Sequence, residues 1–383
     1  MKRIRNVLFS TTRQWNPGDE FILMGVLNLM RSLIDFNPII FNRNPEIQRK
    51  RSKSCFNLSF DLGRCRVKLL KPGFYDNSFK EKFLDEPFIN LAVFAGTPEW
   101  ASMKLKGMYE YVHRNRIPCV YLGIGAGDLF DFSDLSVMYR RVLERAKLII
   151  VRDNVCRRML GHLKPVLLPC PSLLAAPKEY ERDIGKVMSI GLVFSSSTSA
   201  KFNRISKETY LFQMNLYRRL LEAYAGRLHI EFICHYIDEL PAFYREFPSL
   251  KCNYSYDSRD YLDIYNKFDM VIGARVHGIG LAASMGIPGI HIDHDIRGDT
   301  CNGFQAARLK PGCSLDEAMG VCAERIAAAA SLHANLLEHK NKVFLDYESL
   351  LRKALIGMVP DGTEGVTSGA ENAYNRVHHG SGK

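Results

Sequence analysis

The sequence predicts an α/β fold of two Rossmann-like domains whose parallel sheets face each other across a cleft. Three observations predict it. Short apolar runs of strand length alternate with amphipathic stretches along most of the chain, the pattern of strands and crossover helices. The runs are continuous, not alternating, so both faces of each strand should be covered by helices. The pattern also restarts after the Pro/Lys/Glu-rich segment 177–186, which divides the chain into a first domain over 1–176, a linker over 177–186 and a second domain over 187–357. A length of 383 residues suits two domains better than one.

In the first domain, strands are expected at Asn6–Phe9, Ile39–Phe41, Asn90–Phe94, Cys119–Leu122, Leu148–Val151 and Val166–Leu168, with helices at Glu20–Ile34, Ser102–Asn115 and Ser136–Arg145. In the second, a strand at Met188–Phe194 leads into a polar loop, Ser195–Arg204, and then a helix at Lys207–Tyr224. Strands at His229–Cys234 and Met270–Ile272 follow, then a helix at His277–Met285 and a strand at Gly289–Ile292. Residues 316–355 are rich in Ala, Leu, Glu and Lys and read as helical, whereas 358–383 lack apolar periodicity and read as a mobile tail.

Composition narrows the function class. An apolar fraction of 46% with 24% charged residues excludes wholesale disorder, collagen and coiled coil. The longest uncharged apolar stretch, Gly278–Ile292, is broken by Pro288 and falls short of the roughly 20 residues a membrane helix needs. The apolar run near the amino terminus ends at Phe9, so it reads as a first strand and not a signal peptide, and a cytoplasmic protein is expected. The 10 cysteines form no Cys-x-x-Cys pair and read as reduced, buried side chains. Lys and Arg number 52 against 41 Asp and Glu, a net charge of +11 that favours anionic partners without choosing among them. The densest basic run, 43–53, reads as a solvated loop or as a rim for peripheral contact with a membrane surface. No nucleic-acid recognition motif is present, and no nucleic-acid partner is expected.

The chemistry is expected in loops that leave the carboxyl ends of strands, because such loops converge on the crevice of an open parallel sheet. Asn16-Pro17-Gly18-Asp19 lies between a strand and a long helix: Gly18 would open backbone conformations closed to other residues, and Asp19 would cap the helix. Gly96-Thr97-Pro98 and Gly123-Ile124-Gly125-Ala126-Gly127 follow strands of the same domain, and the latter does not complete a dinucleotide Gly-x-Gly-x-x-Gly. In the second domain a buried strand emerges at Gly273 and delivers Arg275 and His277 to the start of a small-residue helix. Arg275 offers paired donors to a carboxylate or phosphate, and His277 can exchange a proton near neutral pH. His291, Asp293 and Asp295 carry metal-ligating groups, but their spacing matches no metal motif, so no metal is expected.

With Asn16-x-Gly18-Asp19, the Gly123–Gly127 loop, Arg152-Asp153, Arg275-Val276-His277 and Gly286-Ile287-Pro288, the chain resembles the polysaccharide pyruvyl transferase family from about Val7 to Arg297. The resemblance implies a GT-B-like fold and transfer of a pyruvyl group from phosphoenolpyruvate to hydroxyls of a cell-surface glycan or its precursor, as a ketal, with release of phosphate. It implies no cofactor beyond that donor substrate, and a sugar or glycan acceptor that can be lipid-linked. It maps the family's catalytic histidine onto His277 and a donor-binding arginine onto Arg275, with a second donor-binding basic residue, in the loop after the first strand of the second domain, at Arg204 in preference to Lys201. Arg297, where the family has a late Lys, would be a third donor-binding cation. Asp19 would be a helper base or hydroxyl anchor, with Asn16, Gly18, Gly123 and Gly125 on the acceptor side. The chain departs from the family at Gly96-Thr97-Pro98, at Cys170-Pro171 and at Arg297, changes near the acceptor wall or linker. Two alternatives stand beside this reading. One is a nucleotide-sugar glycosyltransferase, disfavoured because no carboxylate occurs between Gly278 and Ile292, where Leu281 takes the ribose-binding position. The other is a non-catalytic anion- or glycan-binding protein of the same fold.

Overall fold

The computed structural model describes residues 6–11, 16–42, 74–75, 89–96, 105–127, 129–310, 312–356 and 358. The basic run 43–53 and the tail beyond 358 lie outside these residues. The first sheet contains β1 (Asn6–Thr11), β2 (Asn37–Asn42), β3 (Phe74–Tyr75), β4 (Leu91–Ala95), β5 (Cys119–Ile124), β6 (Leu148–Val151) and β7 (Val166–Leu167). Its order is β3-β2-β1-β4-β5-β6-β7, parallel throughout. The second contains β8 (Ser189–Phe194), β9 (His229–Cys234), β10 (Cys252–Asn253), β11 (Met270–Gly273), β12 (Gly289–Ile292) and β13 (Ala307–Leu309), ordered β10-β9-β8-β11-β12-β13 and again parallel. Strand order reverses between β1 and β4 in one sheet and between β8 and β11 in the other. Those are the switch points where a crevice opens beyond the strands' carboxyl ends.

The helices that matter here are α1 (Pro17–Leu33), α2 (Lys106–Arg114), α3 (Val137–Glu144) and α4 (Asn154–Met159) in the first half. The second half contributes α5 (Ser197–Phe202), α6 (Lys207–Ala223), α7 (Leu240–Glu246), α8 (Asp260–Tyr265), α9 (Val276–Ser284), α10 (Leu315–Ala327) and α11 (Ala329–Ala354). Side-chain alternation in β1 divides the first half. Leu8 turns toward Met108, Tyr109 and Val142 of α2 and α3, while Val7 and Phe9 turn toward α1. That α1 side is continuous with the core of the second half, so the two halves share one apolar core. Each fully buried Leu or Phe in it stabilises the fold by roughly 2 kcal/mol.

The seam between the halves is made by α1, α9 and the 3-10 turn Pro171–Leu174. A Cβ on Gly25 would lie 1.8 Å from the Pro171 carbonyl oxygen, so close approach of the Pro171 backbone dictates that glycine, and one on Gly280 would lie 2.3 Å from Ser172 Oγ and 2.7 Å from the Phe304 ring, so packed side chains dictate the other. Asn28 Nδ2 donates to the carbonyls of Leu174 and Ala175 at 2.9 and 3.0 Å. Lys340, on α11, donates to Ala176 O, Ser284 O and Glu181, and Tyr347 from the same helix donates to Pro169 O at 2.8 Å. Helix α11 therefore packs on both halves.

Several expectations need correction. Helix α1 begins at Pro17, whose fixed φ and missing N–H suit a first helical position, and its cap is Asn16, which accepts from Gly18 N at 3.1 Å. Asp19 is not the cap. Gly18 does not have a positive φ; the left-handed glycines include Gly96 and Gly123. The polar loop 195–204 contains α5, capped by Ser196 accepting from Ser199 N. The helical stretch at 316–355 is two helices, divided at Ala328.

Candidate functional site

Strand β11 ends at Gly273, Arg275 is extended, and α9 starts at Val276, so Arg275 and His277 stand where strand becomes helix. The first half meets this turn through the start of α1. A Cβ on Gly18 would lie 2.9 Å from His277 Nδ1 and 3.0 Å from His277 Cβ. Glycine is required here by the imidazole and not by backbone conformation, which corrects the reason inferred from sequence. Asn16 Nδ2 donates to Asp19 Oδ2 at 3.1 Å, which holds the Asp19 carboxylate, only 6% exposed, against the cap. His277, Gly18, Asn16 and Asp19 are thus brought to one place.

The next residues of α1 anchor it on the second half. Buried Glu20 accepts a hydrogen bond from Ser258, and the Phe21 ring lies edge-on to His235, Tyr261 and Tyr265 at centroid distances of 5.9, 5.8 and 6.5 Å. A small pocket of about 10 Å³, lined by Pro17, His235, Tyr254, Tyr256, Ser258 and Tyr261 among others, sits beside this contact. His235 bonds the Tyr265 hydroxyl at 2.8 Å; burial, and then the nearby Arg275 charge, push its imidazole well below the ordinary range and keep it neutral.

Arg275 is buried and ion-paired with Glu239, and its guanidinium carbon lies 4.3 Å from the centre of the Tyr236 ring. The structure therefore presents Arg275 as half of a neutral pair and not as a bare cation. Arg297 is paired with Asp295 and donates to Asn203 O at 2.9 Å, which ties its loop to the end of α5, next to exposed Arg204. Arg204 has a left-handed backbone, φ 62°. His294 lies 3.3 Å from Arg297 and within electrostatic reach of Arg275. Burial holds the His294 imidazole below its ordinary value despite the Asp295 carboxylate.

Gly123 and Gly125 occupy the other side. Gly123, φ 73°, faces the Pro171 ring, and a Cβ on Gly125 would lie 2.2 Å from Arg152 Nε. Asp153 caps α4 through Cys156 N at 2.7 Å and takes Ala126 N at 3.0 Å. The glycine loop is thereby fastened to the end of β6, with buried Arg152 beneath it in electrostatic reach of Asp19. The His291–Asp299 segment does not form one ligating face, because β12 ends at Ile292. Asp293 pairs with Arg308 and Asp295 with Arg297, and burial pushes His291 down to about 3. Among the described residues no group of three or more His, Cys, Asp or Glu is placed to hold a metal ion.

Sequence reasoning missed Glu239, Tyr236 and the Glu20–Ser258 contact. Glu239 accepts the Tyr236 N–H three residues before it, which is half of a capping box, but with tyrosine in place of Ser or Thr the spacing carried no sequence signal for the first two.

The sequence model of polysaccharide pyruvyl transferases matches residues 16–296, from the Asn16 cap to the residue before Arg297. The chain belongs to the polysaccharide pyruvyl transferase family. Solved structures place this pyruvyl transferase family member in the GT-B fold. The UDP-GlcNAc 2-epimerase of Neisseria meningitidis, solved with UDP-GlcNAc, superposes with a TM-score of 0.53 at 10% identity, covering 92% of this chain and 100% of that one. A second UDP-N-acetylglucosamine 2-epimerase gives 0.53 at 12% identity over 95% and 100%. The glycotransferase of kitacinnamycin gives 0.50 at 10% over 93% and 100%. At such identities the likeness concerns fold alone. Among curated proteins no sequence relative is found.

Proposed function

We propose that this chain transfers a pyruvyl group from phosphoenolpyruvate to two hydroxyls of a cell-surface glycan or its precursor, forming a ketal and releasing phosphate. The observation that carries the proposal is the seating of His277 against the Asn16–Gly18 turn, where the strand-end loops of both halves meet in a member of this family. Supporting it, Leu281, the position where a nucleotide-sugar enzyme would need a carboxylate, is completely buried in α9.

The reaction balances without a redox partner. The donor's methylene carbon gains a proton and becomes methyl, its central carbon bonds to two acceptor oxygens, and the carbon–oxygen bond to phosphate breaks. Of the two protons the hydroxyls lose, one is matched by the new methyl proton and the other leaves with phosphate. His277 is the group at the junction able to carry protons near neutral pH, and a positioned imidazole of this kind typically accounts for about 100- to 10,000-fold in rate. Asp19, held by Asn16, would anchor or deprotonate an acceptor hydroxyl. Arg204, Arg297 and Arg275 would line the donor's carboxylate and phosphate, the first being the exposed one.

The acceptor is proposed as a sugar, free or lipid-linked, reached on the cytoplasmic side. Among the described residues no helix is long and apolar enough to cross a membrane. The test is to incubate the protein with phosphoenolpyruvate and glycan precursors, following phosphate release and a pyruvyl mass gain on the sugar. Calorimetry that finds no phosphoenolpyruvate binding but does find a sugar nucleotide bound would overturn the proposal.

A further inference from the structure

Glu239 is completely buried, yet it makes no contact that secondary structure alone demands on both of its oxygens. Oε2 accepts from the backbone N–H groups of His235 and Tyr236, each at 2.9 Å, at the carboxyl end of β9. That oxygen satisfies the two N–H groups leading into the 3-10 turn Ile237–Glu239, a sufficient reason for a Glu at this position. Oε1 does something different: it takes Nη2 of Arg275, from the loop after β11. In the sheet, β9 and β11 flank β8, so the carboxylate ties together two loops on either side of the strand at the switch point.

What the tie holds is the turn that presents His277. Arg275 is the residue at the amino-terminal boundary of α9, and its side chain makes no capping hydrogen bond to that helix. Its guanidinium is fixed instead by Glu239 on one side and by the Tyr236 ring, 4.3 Å away, on another. Behind the turn, Gly278 has no room for a side chain, since a Cβ there would lie 2.6 Å from the Tyr265 hydroxyl and 3.1 Å from His235 Cε1. In front of it, His277 Nδ1 is packed against Gly18 of the other half. A turn braced on both faces transmits any shift of Arg275 to His277.

We propose that Glu239 is a positioning residue: through Arg275 it sets the strand-to-helix turn that aims His277 at the junction of the two halves. The inference rests on His277 being the group that moves protons in the proposed transfer. A displacement approaching 1 Å at a reacting group can reduce turnover about 100-fold. Donor affinity should behave differently, because removal of the Glu239 carboxylate leaves the Arg275 guanidinium with its full charge facing an anionic donor.

The experiment compares the full-length wild type with Glu239→Gln and Glu239→Asp. Calorimetry with phosphoenolpyruvate gives the dissociation constant and the fraction of binding-competent sites, and pyruvyl transfer is expressed per competent site. The expected result is a fall in kcat per site of about 10- to 100-fold, with donor affinity held or tightened. If kcat per competent site is unchanged, Glu239 is a capping residue only and the inference is overturned. The Asp variant keeps the charge but is one methylene too short to reach both partners, so it gives the same reading if the Gln variant fails to fold. A second readout is independent of substrate: the His277 ring signal in NMR, assigned by its loss in His277→Ala, shifts in both Glu239 variants. A signal that stays in place overturns the positioning role whatever the donor proves to be. A wild type that neither binds nor uses phosphoenolpyruvate while its His277 signal responds to Glu239 overturns the proposed function alone.

Discussion

Replacing Gly18 with alanine isolates the contact on which the site reading depends. The added Cβ would lie 2.9 Å from His277 Nδ1 and 3.0 Å from His277 Cβ, while ordinary van der Waals contact begins at 3.4 Å. The imidazole, or the first turn of α1, has to yield by about 0.5 Å. Because Gly18 does not have a positive φ, alanine introduces no backbone strain, and within a helical turn it is favoured over glycine by up to about 1 kcal/mol. Stability should therefore hold or rise while chemistry suffers. Taking 100-fold per ångström as the scale for misplacing a reacting group, half an ångström corresponds to a loss of about 10-fold in kcat. The assay is phosphate release at saturating phosphoenolpyruvate and acceptor, paired with thermal unfolding. Gly161→Ala, where a Cβ would meet nothing within 4 Å, is the control and should leave turnover unchanged while stability holds or rises slightly. Full turnover in a stable Gly18→Ala protein would refute the claim that the α1 turn and His277 form one site.

Other consequences can be measured with similar means. His277→Ala should reduce pyruvyl transfer by roughly 1,000-fold or more while leaving phosphoenolpyruvate affinity within a few-fold, and retained turnover would remove His277 from the mechanism. Gly25→Ala should destabilise the protein by about 3 kcal/mol in denaturant unfolding, because its Cβ would lie 1.8 Å from Pro171 O; a loss below about 1 kcal/mol would mean that the seam is looser than described. Burial by itself would raise Glu231, but bonds from Asn253, Lys251 and His229, each 2.8 Å long, hold its carboxyl down at about 2, against an ordinary value of 4.5. A carboxyl depressed in the folded state contributes stability above pH 4.5 that is lost as pH falls toward 2, so Glu231→Gln should flatten the stability–pH curve in that window. A curve of unchanged slope would argue against the Glu231 network.

Most strands were legible because a parallel strand buried on both faces must be a continuous apolar run, and Val7–Phe9, Leu91–Phe94 and Met270–Ile272 are such runs. The short strands β3, β10 and β13, at the ends of their sheets, were not, since each is too short to show periodicity and lacks the uninterrupted apolar run, Val166–Leu168, that marks the equally short β7. Helix α5 was hidden because its Ser-rich sequence reads as a turn until Ser196 is seen capping it. The residues at strand ends, Asn16, Gly18, Arg275 and His277, were legible as a set because chain topology sends those loops to a common edge. Glu239 was not: its partner Arg275 is 36 residues away and on a loop beyond an intervening strand, a pairing that no local pattern encodes.

The charge excess that first pointed to an anionic partner has a different meaning once the pairs are located. Arg275, Arg297 and Arg308 each face a carboxylate, and Arg152 lies beside Asp153 and near Asp19. In such pairs each carboxylate offsets part of its arginine's charge, so the net charge of the chain overstates the pull on an anion at the proposed donor site. That site offers guanidinium N–H groups whose directions are already fixed, with the desolvation of each cation offset by a carboxylate behind it. Two consequences follow for substitution. Removing an arginine strands a buried carboxylate, so Arg275→Ala should lose stability as well as donor affinity, and its effect on turnover cannot be read without the Glu239 variants beside it. Discrimination should also be geometric: a small donor with carboxylate and phosphate on one carbon frame can match several fixed donors at once, whereas inorganic phosphate at equal charge matches fewer. Phosphoenolpyruvate should therefore bind more tightly than phosphate at every ionic strength; equal affinities converging as salt rises would show that charge, not arrangement, selects the ligand.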